Sequence, residues 1–303
     1  MIVRQPNNTF TLLFSWRGTV LPRILQPMGF IMLLSAIVGG LEHNGIYHFE
    51  NLPLTAFSLI GLVLSIFLGF KNTACYDRWW EARKLWGNLI SVARHLDRDS
   101  RILPQVRRER VIEQTIVFAN VLRDLLRQRS EQPVTAQQFE ELNETQQRVL
   151  QQHINIPQYS LSLIQWEFLQ ALREGEISDV CYVQLNQHVH ELSLVHTGCD
   201  RLSNTPIPFA YSVLLHRTVY IFCLLLPFSL GSVMGLATPL VVGLLTYTFL
   251  GLDALSTELE EPFGTQSNDL PLDAMVRNIE IDLLSGLGKP TPPPIQPQHN
   301  NLL

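Results

Sequence analysis

Long stretches of this 303-residue chain carry no charge at all. None occurs from Ile24 to Leu41 (18 positions), from Leu52 to Phe70 (19) or from Thr218 to Leu252 (35), and charged residues make up only 16% of the whole. Soluble proteins carry about 25%. A bilayer core of roughly 30 Å needs about 20 apolar residues per helix, so the first two runs each read as one transmembrane helix. The third holds two, with a tight hairpin at GSVMGLATP (Gly231, Gly235, Pro239). Its first helix starts near Pro206 or Pro208, since proline is welcome in a first turn. Three such runs with charged flanks make buried helices of a large soluble enzyme the weaker reading. Arg4, Arg17 and Arg23 precede the first run, but it is too long for the core of a cleaved signal peptide.

Other absences exclude whole classes of chemistry. There is no P-loop, no Gly-rich dinucleotide fingerprint and no Gly-x-Ser-x-Gly elbow. His188, His190, His196 and Cys199 crowd into HVHELSLVHTGC, but residues two apart on a helix diverge by about 200°, so one face cannot gather the first two. The chain therefore reads as a non-enzyme with no metal site and no cofactor. A net charge of −5 argues against nucleic acid as a partner.

Lysine and arginine are also missing from one loop. The segment Glu42–Asn51 (EHNGIYHFEN) has neither, whereas three arginines precede the first run and Lys71, Arg78, Arg83 and Lys84 follow the second. The positive-inside rule then puts both termini and the long middle segment in the cytoplasm of a multi-pass membrane protein. The four cysteines (Cys75, Cys181, Cys199, Cys223) fall in cytosol or membrane and are expected as free thiols.

What is present between Lys71 and Asn204 is almost continuous helix, with no strand-like alternation. VRRERVIEQTIVFANVLRDLLRQR sets Val111, Ile112, Ile116, Val117 and Leu122 on one side and arginines on the other, an amphipathic pattern. Pro133 breaks the next segment and Thr135 is a helix N-cap candidate. A helical bundle of roughly 130 residues follows, enough for a modest core. The Pro-rich tail GKPTPPPIQPQHNNLL reads as disordered or extended.

The stretch SLIGLVLSIFLGFKNTACYDRWWEAR (residues 58–83) runs from membrane-grade apolar sequence into charged helix without a proline or turn. At helical spacing Ser58, Gly61, Ser65 and Gly69 form a small-residue stripe that lets membrane helices approach closely. Leu62, Ile66 and Phe70 follow at i, i+4 and i+8 on a neighbouring face. That apolar stripe is lipid contact or core, or else, if copies of the helix surround an axis, a set of stacked hydrophobic rings that gates by dewetting. Trp79, Trp80 and Trp86 lie just beyond it, as interfacial anchors and packing residues.

FSWRGTVLPRI (Phe14–Ile24), FLGFKNTACYDRWWEARKLWG (Phe67–Gly87), TPIPFAYSV (Thr205–Val213) and LEEPFGTQSNDLPLD (Leu259–Asp273) together resemble the bestrophin family in its bacterial branch, in order and over nearly the whole chain. The resemblance implies an all-α integral membrane protein of four transmembrane helices plus a cytosolic helical bundle, assembled as a homopentameric ion channel of the chloride-channel family. Its parts would be a cytosolic arm (1–23), transmembrane helices 1 and 2 (24–70), a cytosolic helical domain (71–205), transmembrane helices 3 and 4 (206–256), a cytosolic C-terminal segment (257–287) and the Pro-rich tail (288–303). Aligned on Arg78-Trp79-Trp80, the family's pore neck falls on Leu62, Ile66 and Phe70; aligned on Ile207-Pro208, its cytosolic aperture falls on Val180. Beside their functional roles, these residues have a plain alternative as helix core.

Animal members follow the Glu-Pro-Phe-Gly block with consecutive aspartates that hold calcium. Here Asp269 and Asp273 are separated by Leu-Pro-Leu, too few ligands in a row for an ion that wants about six to eight oxygens. Helix capping and inter-subunit salt bridges are the preferred roles for Glu260, Glu261, Asp269 and Asp273. Glu174, Glu176 and Asp179 lie beside the aperture position, and as rings of five they would attract cations. The expected partners are further copies of the chain, the lipid bilayer and permeant monovalent ions, with Na⁺ preferred. A chloride or anion channel is the alternative, and a non-conducting membrane scaffold with a cytosolic binding domain is the alternative of another class. A secondary transporter would show mid-membrane ionisable residues or broken helices in related halves, and neither pattern is present.

Overall fold

Where proline, glycine and serine fall decides where the helices of this chain begin and end. The computed structural model describes residues 1–3, 15–16, 18–46, 53–127, 155–298 and 301–302. Its helices are α1 (Leu21–His43), α2 (Leu54–Asp99), α3 (Gln105–Leu126), α4 (Ile156–Arg173), α5 (Asp179–Asn204), α6 (Phe209–Met234), α7 (Thr238–Glu260) and α8 (Leu272–Gly286). Pro22 and Pro239 sit in the first turns of α1 and α7, and Pro208 caps α6. Among the described residues there is no strand, only isolated bridges such as Ile2 to Asn301. Pro133 and Thr135 lie outside the described residues, as do Arg4, Phe14 and Arg17.

The chain divides into two units, one of Arg4–Trp79 with Pro206–Pro262, the other of Met1–Val3, Trp80–Thr205 and Phe263–Leu303. Helix α2 belongs to the first as far as Trp79 and to the second from Trp80. Its 46 residues rise roughly 69 Å at about 1.5 Å each, more than twice a hydrocarbon core of about 30 Å. The unit boundary at Trp79, rather than at the end of the charge-free run at Phe70, reflects Lys71 and Cys75, which are still buried in the apolar unit.

In the apolar unit, α1 packs on α6 and α7, and α6 on α7. The core gathers Ile24 and Ile31 of α1, Phe57, Leu64 and Leu68 of α2, Leu215, Val219 and Phe222 of α6, and Val242 and Leu250 of α7. The expected hairpin is a single 3-10 turn at Gly235–Ala237; Gly235 takes φ +53°, a region open to glycine at little cost. Thr238 Oγ1 donates to the Gly235 carbonyl at 2.6 Å. Of the small-residue stripe, only Gly61 is closely packed: a Cβ there would stand 3.1 Å from the Phe222 ring. Ser58, Ser65 and Gly69 stay exposed in the single chain, because the packed face of α2 passes through Phe57, Leu64 and Leu68 instead.

In the second unit, α3 packs against α4, α5 and α8, and α4 against α5. Val111, Ile112, Ile116, Val117 and Leu122 are buried as the periodicity predicts. The arginine side of α3 is not all solvent, however. Phe118, Ala119, Asn120, Arg123 and Asp124 are buried too, since the end of α3 is covered on more than one side. Arg123 lies 2.9 Å from Asp124 and 3.4 Å from Asp273, and Arg127 pairs with Asp273 as well. Asp273, expected in helix capping and inter-subunit salt bridges, sits in the first turn of α8 and pairs with Arg123 and Arg127 of its own chain. The tail from 288 to 298 is extended, with the Pro293 carbonyl accepting from Arg277 at 3.1 Å.

Candidate functional site

The apolar half of α2 buries one narrow stripe and leaves the rest uncovered. Leu62 is 58% exposed, Ile66 49% and Phe70 64%, so none of the three is a core residue of its own chain. The stripe therefore has a face of its own, pointing away from Leu64 and Leu68, which are buried. Asp77 continues it. Eleven residues beyond Ile66 correspond to about 1100° of helix, or roughly 20° off the same face, and Asp77 is exposed. Sequence reading missed Asp77 because it stopped at i+8; counting about two turns further, to i+15, would have found it.

Where the stripe ends, the apolar unit holds a charge network. Lys71 Nζ lies 3.1 Å from Asp253 Oδ1, and the two residues are 2% and 4% exposed. His216 Nδ1 sits 2.6 Å from Asp253 Oδ2 with its ring exposed, its centroid 4.7 Å from that of Tyr220 and tilted 49° to it. Arg23 pairs with Glu258 at 3.3 Å, and the Glu260 carboxylate accepts from the Ile207 amide at 3.1 Å. Glu260 thus holds the turn that leads into α6, two residues ahead of Phe209. Lys71 reads from sequence as a topology signal; the clue to its pairing is that Lys71 and Asp253 each end a charge-free run.

In the second unit, the aperture position stands at the head of α5. Helix α4 closes on Gly175, whose φ of +74° suits the left-handed turn that ends a helix. The Gly175 amide donates to Leu172 and the Glu176 amide to Ala171, at 3.1 and 2.9 Å, the bond pair of a Schellman stop. Two residues on, Ser178 starts α5, its Oγ accepting from the Cys181 amide at 3.4 Å, and Asp179 sits favourably in the first turn. Val180 follows at 77% exposure and so is not core of this unit.

The three acidic positions beside Val180 are not equivalent. Arg107 of α3 reaches Glu174 at 2.5 Å, Glu176 at 2.5 Å and Glu167 at 3.2 Å, with 13% of its own side chain exposed. Arg110 adds a 3.5 Å contact to Glu167. Glu174 and Glu176 are thus partly neutralised, and Asp179 is the one of the three placed in a helix first turn. No local pattern joins Arg107 to carboxylates 60 to 69 residues away.

The histidine cluster separates as helical geometry requires. His188 is buried with Nε2 2.7 Å from Asp99 Oδ2, whereas His190 is exposed. Burial pushes the Cys199 thiol up to about 12 and holds the His196 imidazole below its usual value. Among the described residues no group of three or more His, Cys, Asp or Glu side chains is placed to hold a metal ion.

Three stretches are long and apolar enough to cross a membrane, Leu21–His43, Leu54–Ile102 and Phe209–Glu260, the last holding both α6 and α7, and they define a helical membrane protein. The family model for the Bacterial/Fungal Bestrophin protein matches residues 1–285, and the chain belongs to that family. The "Voltage-dependent anion channel-forming protein YneE" of Escherichia coli (strain K12) is 42% identical over 291 residues, 94% of this chain and 93% of that one. The "Voltage-dependent anion channel-forming protein mll4386" of Mesorhizobium japonicum is 38% identical over 294 residues, covering 96% of this chain and 94% of that one. The crystal structure of a bacterial bestrophin homologue from Klebsiella pneumoniae, 37% identical, superposes with a TM-score of 0.80 over 90% of this chain and 100% of its own.

Proposed function

We propose that the chain is the pore-forming subunit of a homopentameric channel in the bacterial inner membrane, with both termini and the second unit in the cytoplasm, passing ions passively. Leu62, Ile66 and Phe70 form the hydrophobic neck and Val180 the cytosolic aperture. The observation that carries this reading is the neck stripe itself. In a member of the bestrophin family, three large apolar residues at i, i+4 and i+8 stand outside their own subunit's core, as stacked rings around an axis require.

Such a neck offers no charge filter, so the sign of the permeant ion comes from groups beyond it. Asp77 supports a preference for monovalent cations, with five carboxylates about 10.5 Å past Phe70 on the pore-facing side. Asp179 adds to the same sign. Anion conduction is the second reading, favoured by the printed names of the Escherichia coli and Mesorhizobium relatives. Reversal potentials of purified protein in bilayers under a salt gradient separate the two. A cation-side reversal that collapses towards zero in Asp77→Asn is expected; an anion-side reversal unaffected by Asp77→Asn refutes the cation reading. No dissipation of any ion gradient by assembled protein would leave a membrane scaffold in place of a channel.

A further inference from the structure

We infer that Arg107 is the positioning residue of the cytosolic aperture, clamping the turn that carries Val180 and setting the net charge beside it. The inference rests on the aperture reading above and deepens it. The turn between α4 and α5 is only five residues long, Glu174 to Ser178, and it starts the helix on which Val180 is the second residue. Two of its five residues, Glu174 and Glu176, hold one guanidinium, and Glu167 on α4 holds the same group. A guanidinium presents five donors in a rigid fork and never deprotonates in proteins, so the Arg107 side of the clamp stays charged. Each contact uses a different nitrogen: Nε to Glu176, Nη1 to Glu167 and Nη2 to Glu174. Lysine, with a single point charge on a flexible stem, cannot replace that geometry.

The anchor is itself well held. Arg107 lies in the first turn of α3, three positions after its Pro104 cap, and α3 packs on α4. Its position therefore transmits the position of α3 to the turn. The backbone stop at Gly175 and the Ser178 cap define the shape of the turn; Arg107 defines where that shape sits relative to α3. The electrostatic consequence follows directly. With Arg107 in place, Glu167, Glu174 and Glu176 share its one positive charge; without it, one more negative charge per subunit stands uncompensated near Asp179.

Three variants separate the two roles in assembled, reconstituted protein. Arg107→Gln removes both fork and charge: backbone amide exchange over 174–181 should rise at least tenfold, and reversal should move further to the cation side. Arg107→Lys keeps the charge: exchange should stay fast while reversal returns towards that of the parent. Glu174→Gln with Glu176→Gln should also speed exchange but move reversal the opposite way. Unaltered exchange in Arg107→Gln overturns the clamp. Faster exchange with unaltered conductance and reversal overturns the role in conduction; if Val180→Ala is then also silent, the fault lies in the aperture reading, and if Val180→Ala changes conductance, it lies with Arg107 alone. Should Arg107→Gln fail to assemble, the Arg107→Lys and double-glutamine exchange and reversal data decide the same points.

Discussion

The Lys71–Asp253 pair gives the most demanding test of the membrane-end packing. The two side chains are 2% and 4% exposed and 3.1 Å apart, so each is the other's main compensation for lost hydration. Removing one partner of a buried pair typically costs about 3–5 kcal/mol, because a charge is left stranded; replacing both with apolar groups of similar volume is often neutral or stabilising. The structure makes the two single changes unequal. Asp253→Ala strands the Lys71 ammonium between buried Leu68 and Cys75 on its own helix and also removes the partner of His216, so the full penalty is expected. Lys71→Met leaves Asp253 with His216 Nδ1 still 2.6 Å away, so the loss should be smaller by about 1.5–3 kcal/mol, the worth of a hydrogen bond to a charged group. The double change Lys71→Met with Asp253→Leu should recover most of the loss. Equilibrium unfolding of the detergent-solubilised protein, followed by helical circular dichroism, measures all three. An Asp253→Ala protein within 1 kcal/mol of the parent, or a double variant as unstable as that single one, would refute the reasoning.

At the neck, Ile66→Ala or Ile66→Ser should raise ion flux through reconstituted protein and Ile66→Phe should lower it. Because Ile66 is half-exposed in its own chain, the alanine change should cost less stability than the roughly 2–5 kcal/mol of a buried truncation; lost stability without added flux means packing rather than pore. His196 should make the second unit acid-sensitive: burial lowers its folded pKa, with Asp200 opposing, so the unfolded chain takes up a proton first. Stability is then full above the unfolded value of about 6.5 and falls below it, by at most about 1.4 kcal/mol per pH unit, and His196→Gln should flatten that slope in melts between pH 7.5 and 5.5. An equal slope in both proteins removes His196 as the cause. Cys199, buried and with its thiol pushed up to about 12, should resist maleimide at pH 7 in folded protein while the partly exposed Cys181 is labelled; mass spectrometry reads both, and early modification of Cys199 would contradict its burial.

These tests fall into two groups according to what the sequence made visible. Helical periodicity and charge-free length read reliably along one element: the spans, the hairpin at Gly235, the uninterrupted α2 and the divergence of His188 from His190 all follow from local spacing. Pairing across elements does not, because a charge carries no record of its partner. Lys71 read as a topology flank and is buried against Asp253, 182 residues later. Arg123 read as a solvated arginine and is buried among carboxylates, since α3 is covered on sides that its own pattern could not reveal. Glu174 and Glu176 read as free acids for the same reason, with Arg107 too distant in sequence to announce itself.

The apolar stripe is a harder case, because its ambiguity is physical rather than informational. On a membrane helix, leucine, isoleucine and phenylalanine satisfy lipid, a neighbouring subunit and a dry pore equally well, so composition cannot distinguish the three. The single-chain structure removes a fourth option, the subunit's own core, by burying Phe57, Leu64 and Leu68 in place of Leu62, Ile66 and Phe70. Lipid has no reason to prefer one line of i, i+4, i+8 positions over the equally exposed Leu59, Ile60, Val63 and Phe67. A carboxylate near the same line supplies a test. Asp77, within about 20° of Ile66 and about 10.5 Å beyond Phe70, faces the permeant ion if the stripe lines a pore, so Asp77→Asn should move the reversal potential on that reading and leave it unchanged if the stripe faces lipid.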